Sequence, residues 1–161
     1  MFCTVLHTLK SPQNVGMIVR SHVAHAGSEM IFTGHALPWQ FKKGSESFSR
    51  KLEKQVTIRH IPEPMNVVKY LRDNGYSIVA IEICEDSYSI ESFNFPEKVA
   101  LVLGNEAEGL PKEFIEISDY VVTIPQYAPV GSLNVAVSAS IAMYELMRGK
   151  ATNQISGDEY V

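Results

Sequence analysis

Apolar positions along this chain switch repeatedly between short strand-like runs and spacings of three and four, which predicts alternating strands and helices. Phe2 to Leu9 alternates weakly and is rich in strand formers. Ser11-Pro12-Gln13-Asn14 then supplies a turn and a helix cap, and Val15, Ile18, Val19, His22, Val23 and Ala26 follow at helical spacing until Gly27 stops the helix. Glu29 to Thr33 reads as a second strand, Val56 to Ile61 as a third, Tyr76 to Ile83 as a fourth, Val99 to Leu103 as a fifth and Tyr120 to Ile124 as a sixth. A helix from Pro64 to about Asn74 ends at Gly75, and Pro111 to Ile117 forms a shorter one. Gly34 to Ser49 has no clear period and is expected to be loop with some short helix.

The last patterned stretch, Thr123 to Arg148, divides into a proline-containing bend and a helix. Leu133, Val137, Ser140, Ile141, Tyr144 and Met147 recur as one apolar face, Ser132 is placed to cap the start, and Gly149 follows Arg148 at the end. Ala136, Ala139 and Ala142 lie among serines on the other side, so other backbone can approach closely, from this chain or from a partner. Strands alternating with helices imply an α/β fold with a mostly parallel sheet covered on both faces. Ligands in such sheets bind beyond the carboxyl ends of the strands, where the loops Gly104–Gly109, Ile124–Ser132 and Ile81–Asp86 lie.

A length of 161 residues suits one domain, read as residues 1–150 with a polar, fraying tail over 151–161. Cys3 and Cys84 are too few and too far apart for a disulfide framework, which points to reduced thiols in the cytoplasm. There is no secretory leader pattern and no apolar run long enough for a membrane span. His22 and His25 share a helix face, but no Cys or third His joins them, so no metal site is expected. The net charge of −4 hides an asymmetry: residues 1–60 carry eight Lys or Arg against three acids, a net of +5, and residues 61–161 carry six against fifteen, a net of −9. That split is compatible with a polyanion partner on one surface and equally with a solvated basic face.

Three segments carry candidate chemistry. Leu101 to Leu110, LVLGNEAEGL, has two glycines that allow a tight loop with its backbone facing a ligand; it lacks the Lys-Ser/Thr of a P-loop and the spacing of a dinucleotide turn. Asn14 to Arg20, NVGMIVR, places an arginine in the first helix, and Ile124-Pro125 precedes Ser132-Leu133-Asn134-Val135-Ala136. Together and in this order these segments resemble the SpoU (TrmH-like) family of the SPOUT superfamily of S-adenosylmethionine-dependent RNA methyltransferases. The family's Asn and Arg six residues apart match Asn14 and Arg20. Its glycine loop matches Gly104, Asn105, Glu106, Gly109 and Leu110, and its last motif matches Ile124, Pro125, Ser132, Leu133, Asn134 and Ala136.

The resemblance implies a C-terminal deep trefoil knot, a homodimer with its active site at the interface, and transfer of a methyl group to a ribose 2'-hydroxyl of RNA, tRNA being favoured over rRNA. It implies S-adenosyl-L-methionine held by Ile81, Leu103, Gly104, Asn105, Gly109, Ile124, Gln126, Ser132 and Leu133. Arg20 would be the catalytic arginine, with Asn14, Glu106, Ser132 and Asn134 positioning it and the nucleotide. A guanidinium almost never deprotonates, so Arg20 would stabilise the developing alkoxide and hold a phosphate. Lys42, Lys43, Arg50, Lys51, Lys54 and Arg59 would meet RNA phosphates. A knotted RNA-binding protein without catalysis is the rival reading. Ala107 and Ala128 depart from glycines common in the family.

Overall fold

The computed structural model describes residues 1–35, 43–148 and 150. In chain order it contains β1 (Phe2–His7), α1 (Pro12–Ala24), β2 (Glu29–Thr33), α2 (Lys43–Ser49), a single 3-10 segment (Leu52–Gln55), β3 (Thr57–His60), α3 (Pro64–Asp73), β4 (Ser77–Ile81), β5 (Tyr88–Ser89), β6 (Val99–Leu103), α4 (Lys112–Glu116), β7 (Tyr120–Thr123) and α5 (Val135–Met147). The strands form one sheet in the order β3-β2-β1-β6-β4-β7-β5. Each neighbouring pair is parallel, so the expected largely parallel sheet is wholly so among the described residues.

A parallel sheet needs helices on both faces, and its strands are accordingly buried on both sides. Alternate residues divide between two cores. Phe2, Leu6, Met30, Phe32, Leu101 and Leu103 pack with Val15, Ile18 and Val19 of α1 and Ala139, Met143 and Leu146 of α5. Cys3, Val5, Ile31, Ile78 and Val102 pack on the opposite face with Val67, Val68 and Leu71 of α3 and Phe114 of α4. The chain steps outward from β1 to β3 and then returns to the other side of β1, so β1 and β6 flank the reversal in strand order.

Ser11 caps α1 as expected, accepting from the Asn14 N–H at 3.3 Å, with Pro12 in the first turn. Gly16 lets α2 lie directly on α1: an added Cβ would stand 2.5 Å from the Ser45 carbonyl oxygen and 2.7 Å from Phe48 Cβ. α5 corrects two expectations. Its cap is Asn134, whose Oδ1 accepts from the Ala136 N–H at 2.8 Å, rather than Ser132. Its buried side is Ala136, Ala139, Ala142, Met143 and Leu146, whereas Val137 and Tyr144 are 42% and 59% exposed. The alanines allow the helix to seat closely against the sheet and α1, where Ser21 and Ser140 hydroxyls meet at 2.7 Å.

The strands expected at Glu29–Thr33 and Val99–Leu103 have those bounds, and the other four expected strands are shorter by one or two residues at one or both ends. The edge strand β5 has no counterpart in the pattern because two residues show no period. α2 bears out the short helix expected before Ser49, while the 3-10 turn is additional. The expected helix stop at Gly149 and the tail over 151–161 lie outside the described residues.

His22 of α1 is fully buried, its Nδ1 2.9 Å from the Thr4 hydroxyl and its ring edge-on to Phe2. Burial pushes its pKa from 6.5 down to about 4, opposed in part by the Gly27 backbone. A buried neutral imidazole disfavours the proton that the unfolded chain accepts, so stability falls as pH drops from about 6.5 toward about 4 and this contribution then levels off. At about 1.4 kcal/mol per pH unit the loss reaches roughly 3 kcal/mol. Thermal melts across this range should therefore show a steeper decline for the parent than for His22→Gln.

Candidate functional site

The loops after β4, β6 and β7 and the turn into α5 enclose a cleft of about 490 Å³. It opens beyond the carboxyl ends of the strands, beside the reversal in strand order, where ligands of open parallel sheets sit. The nine expected cofactor residues, Ile81, Leu103, Gly104, Asn105, Gly109, Ile124, Gln126, Ser132 and Leu133, all line it.

The loop after β6 closes on itself. Gly109 has φ of +68°, and its N–H donates to the Asn105 carbonyl at 3.1 Å. A Cβ on Gly104 would lie 2.1 Å from the Gly109 carbonyl carbon, so only glycine permits this approach. Asn105 is buried and holds the loop from inside: its Oδ1 accepts from the N–H groups of Ala107 and Glu108 at 2.8 and 2.9 Å, and its Nδ2 donates to the Thr8 hydroxyl at 3.1 Å. The side-chain amide is thus committed to the loop, which leaves backbone groups to face a ligand. The same Asn105 turn forms with Ala107 in place, so the loop closes without a glycine there.

Three distant segments meet on the cleft's rim. Asn134 Nδ2 donates to Asn14 Oδ1 at 3.1 Å, and Asn14 Nδ2 donates to Glu106 Oε1 at 3.0 Å. Glu106 also accepts from the backbone N–H groups of Ser11 at 3.1 Å and Lys10 at 3.4 Å. Partial burial pushes the Glu106 carboxyl up, but the donors from Asn14 and the backbone outweigh it and hold the group below the usual carboxylate range. An anion so well satisfied is a weak base and a firm anchor.

Arg20 lies elsewhere. It is exposed on α1, does not line the cleft of its own chain, and has no hydrogen bond or ion pair among the described residues. Six helical residues separate it from Asn14 by about 9 Å along the axis and turn it to a different face. Ser132 and Asn134 do line the cleft. Of the expected RNA contacts, Arg50, Lys51 and Lys54 are exposed around the 3-10 turn. Arg59 is engaged: its Nε donates to Glu29 Oε2 at 2.5 Å, and its guanidinium lies over the Tyr70 ring. Lys42 and the Lys43 side chain lie outside the described residues.

Glu82, directly after β4, is a cleft residue that sequence reasoning did not single out. Its Oε2 accepts from the Leu110 N–H at 2.9 Å. The available signal was a lone acid closing the strongly apolar run of Ile78 to Ile81. Among the described residues no group of three His, Cys, Asp or Glu could hold a metal ion, and no helix is long and apolar enough to cross a membrane.

A parallel sheet with a backbone-lined cleft at its switch point defines an α/β domain whose loops form a pocket of small-ligand size. Residues 1–144 match the SpoU rRNA Methylase family, and the chain belongs to that family. It is 30% identical over 140 residues to the tRNA (guanosine(18)-2'-O)-methyltransferase of Aquifex aeolicus, covering 87% of this chain and 65% of that protein. The SpoU methyltransferase AviRb of Streptomyces viridochromogenes, solved in complex with AdoMet, superposes with a TM-score of 0.80 at 28% identity, over 91% of this chain and 56% of that one. A structure from work on 2-OH methylation of C/U34 on tRNA superposes with a TM-score of 0.82 at 25% identity, over 92% of this chain and 95% of that one. The chain spans about half to two thirds of the length of several curated relatives.

Removing the central member of the polar chain tests its role. Asn14→Ala should raise the Glu106 pKa toward its ordinary value and cost about 0.5–1.5 kcal/mol, because the exposed Glu106 carboxylate and the Asn134 amide each lose a partner that water replaces in part. Carboxyl titration by NMR and denaturant unfolding measure the two effects.

Proposed function

We propose that this chain is an S-adenosyl-L-methionine-dependent methyltransferase that modifies a ribose 2'-hydroxyl of RNA, with tRNA favoured over rRNA. The observation that carries the reading is the Asn134–Asn14–Glu106 chain, which joins the three motif segments at the rim of the loop cleft. Family membership and the tRNA and AdoMet named for its relatives support the substrate and the donor.

The cleft suits the donor. Gly104 and Gly109 let the loop after β6 close on itself and line the cleft with main-chain groups, and Ile81, Leu103, Ile124 and Leu133 add apolar walls for a flat purine. Gln126 and Ser132 supply polar side chains beside the main-chain groups. Bound there, S-adenosylmethionine would supply the methyl group to the ribose oxygen, the electron pair of the broken bond staying on sulfur and the hydroxyl proton going to water. The chain's own residues position and stabilise. Glu106 fixes Asn14 and, through it, Asn134, while Ser132 and Asn134 present polar groups to the nucleotide. Such ordering can lower a barrier by several kcal/mol, about 7–11 at best.

Arg20 is assigned to the developing alkoxide and an adjacent phosphate. Because it does not line the cleft of its own chain, this role requires a second copy. Met17 on α1 and Val137 and Tyr144 on α5 are 38%, 42% and 59% exposed on two helices that pack together, which supports a homodimer built on those helices. The proposal includes the deep trefoil knot, in line with α5 returning past β4 and β6 to pack beside α1. It also treats residues 1–150 as one methyltransferase domain. Arg50, Lys51 and Lys54, with Lys42 and Lys43, are assigned to RNA phosphates; Arg59 would add to them only through the part of its charge that Glu29 leaves uncompensated. The unpaired thiols of Cys3 and Cys84 support a cytoplasmic setting.

Incubation with radiolabelled S-adenosylmethionine and separate tRNA and rRNA pools should label tRNA. Label confined to rRNA would replace the substrate, and absence of label in both pools would remove the activity. Arg20→Ala should retain donor binding by calorimetry and lose methyl transfer by about a hundredfold or more, as expected for removal of one charge-stabilising donor. Tyr144→Glu should shift the sedimentation coefficient from dimer to monomer.

A further inference from the structure

The cleft has a charge that its shape does not require. Glu82, Glu106 and Glu108 line it, and among the described residues no Lys, Arg or His does. Such a lining rejects phosphate groups and prefers a cation. The three carboxylates are not equivalent. Glu106 belongs to the polar chain with Asn14, and Glu108 is exposed at the rim.

Glu82 is built into the wall. Its backbone N–H donates to the Val122 carbonyl at 3.2 Å, its Oε1 accepts from the Ile83 N–H at 3.0 Å, and its Oε2 accepts from the Leu110 N–H at 2.9 Å. The carboxylate lies so close to Gly109 that a Cβ there would stand 2.5 Å from Oε2. Amide donors fix a carboxylate without neutralising it, and Glu82 has no ion pair among the described residues. A fixed negative charge in a semi-enclosed site discriminates between ligands of the same shape and different charge. The methyl donor and its spent form are such a pair: they share adenosine and amino-acid groups and differ by the methyl group and by one positive charge on sulfur.

We propose that Glu82 is the specificity-determining residue of this cleft, favouring the sulfonium donor over the demethylated thioether product. The inference rests on the methyltransferase reading above. It gives the site a means of releasing its product: once the methyl group has left, the attraction that held the ligand against Glu82 is gone. Loop shape and ligand charge are thereby carried by one side chain, through its hydrogen bonds to Leu110 and Ile83 and through its ionisation.

Calorimetry on the full chain with S-adenosylmethionine and, separately, S-adenosylhomocysteine tests this. Glu82→Gln keeps the side-chain length and an oxygen able to accept from Leu110 while removing the charge. The expected result is a loss of about fivefold to tenfold in affinity for S-adenosylmethionine, the size of one charge pair in partly solvated surroundings, with S-adenosylhomocysteine changed less than about twofold. A parallel loss for both ligands, or none for either, overturns the proposal. In the parent protein, raising sodium chloride should weaken S-adenosylmethionine binding and leave S-adenosylhomocysteine binding unchanged, a comparison that holds even if the variant does not fold; equal salt dependence overturns the proposal as well. A parent chain that binds neither ligand removes the donor site itself, whereas one that binds both equally leaves that site intact and removes only the role of Glu82.

Discussion

The arrangement depends on a short run of hydrogen bonds between side chains that are far apart in sequence. Asn134, Asn14 and Glu106 come from the starts of α5 and α1 and from the loop after β6, and each satisfies the next. Asn134 also caps its own helix, and Ser11 and Lys10 direct backbone N–H groups at the same carboxylate. Asn14, at the middle of the run, is buried and would be costly to leave without partners, so the three segments hold one another in register. The polar chain converts a sheet with several independent loops into a cleft with one defined edge.

Close backbone approach is the second constraint, and small residues provide it wherever elements cross. Gly16 admits α2, Gly104 admits the Gly109 carbonyl, and the alanines of α5 admit the sheet. The α1, α2 and α5 contacts lie on the face of the sheet away from α3 and α4, and the alanines of α5 leave the bulkier Val137 and Tyr144 pointing outward. The apolar area of α5 is therefore divided between a core built from methyl groups and an exterior built from large side chains. In the proposed dimer that exterior becomes interface.

Much of this was legible in the residues. The alternation of apolar runs with helical spacings predicts the parallel sheet, since a strand buried on both faces needs a continuous apolar run. The motif glycines and polar residues fall where the loops leave the strands, and the structure gathers the expected cofactor residues around one cleft. Other features were hidden for physical reasons. Periodicity assigns α5's inner face to Val137 and Tyr144 because they are strongly apolar, yet burial there is decided by how closely the helix can approach, which favours alanine. Ser132 and Asn134 are both good caps, and only the path of the turn selects the second. β5 is too short to show a period, and the electrostatic isolation of Glu82 depends on what the fold leaves out of the cleft.

The parallel sheet also shapes how the chain reaches this state. The central partner of β1 is β6, with Phe2 opposite Val99, so β1 emerges from the ribosome well ahead of the strand that covers its inner edge. Its other edge can pair early with β2, which starts at Glu29. The half containing β1, β2 and β3 can thus assemble first, exposing an apolar strand edge until β4 and β6 arrive. That waiting edge, an unpaired row of backbone donors and acceptors, is the part of the chain most in need of cover during synthesis.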